Sequence, residues 1–233
     1  DAKYADYTMK TSGTAIFNTI LLPENVGQRF DVSVQELEVD GLTREDASAY
    51  EFTMQEESTG ASTTYQYFQL HNTAKKGTYT VGDFTTDAGL LLVETADDGA
   101  ALSIIAQDVK TIQDDKNGVT LLNASAAQQE ISIDWSVGNL ILNASTLTAE
   151  NAGTSDLTVY SNGNTITNVS MNQKNMAAKQ DGDYVYFGEK PSDIVKPPVT
   201  TPTPIITPRP TPGGGSHGTS GGGGGGGISV PVS

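Results

Sequence analysis

Apolar residues recur at every second position in short runs through most of the first 190 residues, as in "TTYQYFQL", "ALSIIA", "EISIDWSV", "NLILNAS" and "DYVYFG". A run of this kind buries one side only if it is extended, because successive side chains of a strand point to opposite faces. The runs are rich in β-branched and aromatic residues, and turn signals separate nearly all of them. About a dozen such runs, spaced at roughly ten residues, exceed a seven-stranded immunoglobulin sandwich. The expected fold is therefore all-β: one enlarged antiparallel β-sandwich, immunoglobulin- or jelly-roll-like, with at most one short helix.

Local signals refine this expectation. Asp98-Gly99, Asn117-Gly118 and Asn162-Gly163 are the dipeptides of two-residue hairpins, whose central residues both take positive φ. They predict antiparallel neighbours on either side. "RFDVSVQELEV" puts Phe30, Val32 and Val34 on one face and then changes phase to Leu37 and Val39, which predicts a bulge or bend. In "LTREDASAY", Thr43 with Asp46 three residues on makes a shortened capping box and predicts the one helix. "NMAAKQ" could add a single helical turn. Trp135 shares its strand face with Ile131 and Ile133, a core position.

The chain changes character near Lys190. Residues 191–212 form a Pro/Thr-rich stalk, 213–227 a Gly-rich linker ending in seven consecutive glycines, and 228–233 an apolar, strand-like end, "ISVPVS". The stalk favours polyproline II and would span about 50 Å when extended. Ile228, Val230 and Val232 alternate like a strand with one apolar side. Burying them would contribute about 1.5–3 kcal/mol each. Ordering six backbones costs about 1–2 kcal/mol each. The balance is near zero, so such a hook needs strand-to-strand hydrogen bonds, as in β-augmentation, and neighbours already in contact. Pro231 confines it to an edge position.

Composition excludes several classes. The chain of 233 residues has a net charge of −15 and no cysteine. Only Asp193, Lys196 and Arg209 are charged in the tail, so the folded part keeps the whole acid excess. Such a field repels phosphate backbones and anionic lipid, which argues against nucleic acid as a partner. Disulfides, thiolate metal sites and cysteine nucleophiles are absent. No run of eighteen apolar residues exists, so no membrane insertion is expected. Residues 1–20 are too polar for the polymerising helix of type IV pilins and archaellins. The start at Asp1 and the Pro/Thr stalk read as a secreted, extracellular or cell-surface protein.

Candidate chemistry is sparse. His71 is the one histidine before the tail, and a Ser-His-Asp triad would have to use it. Of the paired acids Glu56/Glu57, Asp97/Asp98, Asp114/Asp115 and Asp181/Asp183, the second and fourth pairs sit beside or around a glycine, where aspartate makes good turns. Asp181 and Asp183 in "DGD" are the better candidates for a calcium ion; no other cofactor is implied. Asn123, Asn143 and Asn168 open N-x-S glycosylation sequons.

The stretch "LTAENAGTSDLTVYSNGNTITNVSM" resembles secreted immunoglobulin-like modules, with a strand, an Asn-x-Gly turn and a Leu-x-Val strand. The stalk "TPTPIITPRPTP" and its glycine run resemble those of archaeal and Gram-positive cell-surface proteins. These resemblances imply an envelope location and a structural or adhesive role, and they carry over no catalytic residue. The resulting expectation is a non-enzymatic subunit of an extracellular filament or surface layer, a homopolymer linked through Ile228, Val230 and Val232. The alternative is a stalked adhesin or carbohydrate-binding module with glycans as partners.

Overall fold

The computed structural model describes residues 29–189, Val137 excepted. Fourteen strands form one hydrogen-bonded sheet: β1 (Phe30–Glu36), β2 (Ala47–Glu56), β3 (Ser62–Leu70), β4 (Tyr79–Val81), β5 (Phe84–Thr86), β6 (Leu90–Ala96), β7 (Ala101–Asp114), β8 (Val119–Ser136), β9 (Asn139–Ala144), β10 (Leu157–Tyr160), β11 (Asn168–Met171), β12 (Lys174–Ala177), β13 (Gln180–Asp181) and β14 (Tyr184–Phe187). The fold is all-β. Among the described residues no helix is long and apolar enough to cross a membrane.

A single sheet becomes a sandwich because its two longest strands change neighbours half-way. The first half of β7 pairs with β6 and with the second half of β8, whereas its last residues pair with β5 and the first half of β8. Likewise β8 uses Leu122–Ala124 against β10 and Ile131–Ser136 against β9. One layer is thus β1-β2-β3-β6-β7-β8-β9-β11-β12, and the other β4-β5-β7-β8-β10-β14-β13. Strands that switch sheets at a bend are how sandwich corners are made. At this corner the register runs from Val109↔Gln128 to Thr111↔Asn123, so β8 spends more residues than β7 on the turn.

Polar groups lock the corner. Asp108 takes φ 53°, a conformation that Asp tolerates better than most residues. The Asp87 carboxylate accepts from the Lys110 and Thr111 amides at 2.8 and 2.9 Å. On the β8 side, Gln128 is buried, donates to the Ala126 carbonyl and accepts from Thr146 Oγ1.

Between the layers lies a core that includes Phe68, Leu91, Val93, Ile104, Ile133, Leu142, Leu157 and Val185, each 1 % exposed or less. Two polar ties cross it. Trp135 Nε1 donates to the Tyr160 carbonyl at 2.6 Å, and Gln66 Oε1 accepts from the Asp83 amide at 2.9 Å. Gln66 also donates to Glu51, so its buried amide is satisfied at both ends. Trp135 occupies the core with Ile131 and Ile133, as its spacing predicts.

Several local expectations change. The capping contact of Thr43 and Asp46 forms, with the Thr43 amide and hydroxyl both donating to Asp46 Oδ2 at 3.0 Å. No helix follows; residues 44–46 turn and the chain enters β2 at Ala47. The contact satisfies a single amide, and pairing along β3 outweighs the few helical bonds a short segment could make. "NMAAKQ" is likewise strand, Asn175 to Ala177 lying in β12. Asn162 and Gly163 take φ 55° and 71°, the hairpin values, but β10 pairs with β8 and β14 rather than with β11. At the other two dipeptides only Gly99 and Gly118 are positive, within four-residue connections. One pair, β9 with β11, is parallel, so the sheet is mixed. The phase change after Val34 is the end of β1: Leu37 and Val39 turn inward and pack against the core.

Candidate assembly surface

In an antiparallel pair, directly opposed residues point to the same face. The register therefore traces rows across the sheet. Val34, Phe52, Tyr65, Glu94 and Ser103 form one row on the side away from the core; Glu36, Tyr50, Tyr67, Leu92, Ile105, Ser132 and Asn143 form the next. Val32 and Met54 begin a third. Val32, Val34 and Ile105 are 41, 56 and 48 % exposed. Thus the alternation of β1 is a two-sided pattern whose apolar side faces outward.

Aromatic side chains fill the middle of this face. The Phe52 and Tyr65 rings stack at 4.9 Å with an interplanar angle of 11°. The Tyr65 hydroxyl donates to Glu94 Oε1, and Ser103 Oγ donates to Glu94 Oε2. Desolvation, followed by the Glu94 charge, raises the Tyr65 phenol above its ordinary value; desolvation likewise raises Tyr67.

β1 is also an edge. Among the described residues it pairs with β2 alone, along all seven of its residues. The other edge strands are short: β4 has three residues, β12 four and β13 two. Proteins blunt long edges with proline, lysine, bulges or a cover. β1, "FDVSVQE", has no proline or lysine and keeps regular register throughout. The Arg44–Glu36 ion pair at its end is exposed and adds little.

Several other candidate residues make structural contacts. His71 Nε2 lies 2.8 Å from Ser48 Oγ, a nucleophile–base spacing. Ser48 is buried at 6 % exposure, however, and the Asp46 carboxylate is taken up by Thr43 and Asn72. Asp114 accepts from the Asn117 amide and side chain, Asp98 from the Ala100 amide, and Asp115 from Thr85. These acids build turns. Asp181 and Asp183 flank Gly182 in the β13–β14 turn, both exposed, and among the described residues no three metal-ligating side chains gather anywhere. Asn123 and Asn143 are exposed and Asn168 half-buried, all on strands; Asn143 belongs to the outer-face row of Ile105. Ile228, Val230 and Val232 lie outside the described residues.

Comparison with protein-family models, curated proteins and solved structures finds no match.

Asp46 gives a pH prediction. Its carboxyl is held below the usual range by the Thr43 amide first, then by the Asn72 side chain and the Thr43 hydroxyl. A carboxylate depressed in the folded state stabilises it above the unfolded pKa, about 3.9, and that contribution disappears as pH falls through the folded value. Carboxyl-carbon NMR should give Asp46 a midpoint below the ordinary aspartate range, and Asn72→Ala should bring it part-way back.

Proposed function

We propose that this chain is a non-enzymatic structural subunit of an extracellular filament or surface layer, joined to copies of itself when the terminal strand of one subunit pairs with β1 of the next. The seven-residue β1 edge, paired among the described residues with β2 alone, carries this reading, because an open edge is a template for another strand. The donor is the segment with Ile228, Val230 and Val232. Its tail holds one aspartate against a lysine and an arginine, so it approaches an acidic neighbour without like-charge repulsion. The stalk and glycine run supply the reach.

The adhesin alternative has less to stand on. Trp135 is buried in the core, and Phe52 and Tyr65 each spend one ring face on the other.

Electron microscopy and sedimentation of the full chain test the proposal. Polymers are expected from the unaltered protein. They should be lost in Ile228→Asn/Val230→Asn/Val232→Asn and in Val34→Lys, which places a charge beside the receiving edge. Polymers of unchanged length in both variants would reject the role of the terminal strand.

A further inference from the structure

The outer face poses a question that polymerisation through the β1 edge does not answer. Val32, Val34, Phe52, Tyr67, Leu92 and Ile105 form a contiguous apolar patch on five neighbouring strands. Strands about 4.8 Å apart and rows about 7 Å apart along them give the patch an area of roughly 400 Å². That is the size of the largest apolar patch on a typical monomer, and such patches are often functional.

We propose that the patch is the seat of this chain's own residues 15–22, "AIFNTILL", which fold back from the start of β1 and cover it. Three observations select this occupant. First, the chain enters the described structure at Arg29 and begins β1 at Phe30, so the segment is tethered at the border of the patch by only the seven residues 23–29. A tether of that length extends to roughly 24 Å, about the width of five strands. It holds the segment at an effective concentration that no free partner matches.

Second, the chemistry is complementary. Ala15, Ile16, Phe17, Ile20, Leu21 and Leu22 are apolar, and Ile16, Phe17, Ile20 and Leu21 recur at a spacing that would gather them on one side of a helix. Residues 1–22 carry two aspartates and two lysines, hence no net charge, in a chain of −15. Acids border and interrupt the patch, with Glu36 and Asp134 at its rim and Glu94 between Tyr65 and Ser103 on the same face. A second copy would bring its own acid excess against that rim.

Third, the scale fits a segment rather than a subunit. A stable dimer buries about 800 Å² on each partner, twice what the patch offers. Eight residues with six apolar side chains are of the patch's own size. Covering the face leaves the hydrogen-bonding edge of β1 free, so the segment and a neighbour's terminal strand occupy different sites.

The test uses the full chain carrying Ile228→Asn/Val230→Asn/Val232→Asn, so its outcome does not depend on polymerisation. Into it go Ile16→Ser, Phe17→Ser, Ile20→Ser and Leu21→Ser together. Methyl NMR is expected to show the signals of Val32, Val34, Leu92 and Ile105 moving, while the core methyls of Ile104, Ile133 and Leu142 stay in place and binding of a hydrophobic dye rises. The chain has no cysteine, so a spin label at Ser12→Cys can be placed cleanly, and it should broaden the outer-face methyls before those of the opposite layer. Unmoved outer-face methyls, or broadening confined to the opposite layer, would overturn the proposal. So would outer-face shifts that follow protein concentration in step with a sedimenting dimer, which would give the seat to a second copy.

Discussion

Trp135→Ala is expected to lower the unfolding free energy by about 3–5 kcal/mol, the range for deleting a large aromatic from a core. The side chain is 8 % exposed and lies with Ile131 and Ile133, themselves 2 and 1 % exposed, on the inner face of β8. Its indole also ties the two layers through the Tyr160 carbonyl. Domains of this kind are stable by about 5–15 kcal/mol, so the loss is a large share of the total. Urea unfolding followed by circular dichroism should show a lower midpoint at unchanged slope. Trp135→Phe keeps most of the volume and removes the donor, and should cost about 1–3 kcal/mol for the carbonyl left without it. An equal loss in the two variants would mean that the hydrogen bond, not the packing, holds the layers together.

Gly188→Ala should come close to the same effect through the backbone. Gly188 follows β14 at φ 80°, and a Cβ there would lie 2.4 Å from the Ser155 carbonyl oxygen and 3.0 Å from its carbon. The left-handed conformation alone costs a β-carbon about 1–2 kcal/mol. The clash cannot be relieved by rotating a side chain, so either the end of β14 or the turn at Ser155 must shift, adding about 1–3 kcal/mol of overpacking. Phe187 and Leu157 flank this contact in the core and would move with it. Gly182→Ala is the control. It has φ 55° with nothing within 4 Å, so only the conformational cost applies. Equal midpoints for the two variants would show that the Ser155 contact relaxes freely.

The outcomes along the chain divide by the range of the forces involved. Alternation in "EISIDWSV" foretold both the strand and the buried face of Trp135, because period two is a local property and that strand has neighbours on both sides. The same alternation in "FDVSVQE" foretold a strand but not which face the core would take. Val32 and Val34 point outward because the register with β2 sets them opposite Met54 and Phe52 on the face away from the core. The Thr43–Asp46 contact is common to a helix start and to this turn, since one side chain satisfying one amide does not dictate what the next ten residues do. Asn162 and Gly163 adopted hairpin dihedrals without a hairpin for the same reason: a turn directs the chain, and pairing is decided by what lies beyond it.

The candidate site divides in the same way. Ile228, Val230 and Val232 could be picked out as the proposed donor because their alternation and their glycine leash are written in adjacent residues. The proposed acceptor could not, because an edge is a statement about strand order: β2 takes β3 on its other side, and among the described residues nothing pairs beyond β1.

By itself, then, the sequence determined the class of structure, most of the strands and turns and the acid field, all of which follow from spacing and composition within a few residues. Only the tertiary structure decided which faces the core takes, which strand is the long edge among the described residues and which layer each half of the long strands joins. Those are set by contacts between residues far apart in the chain, whose energies no local pattern contains.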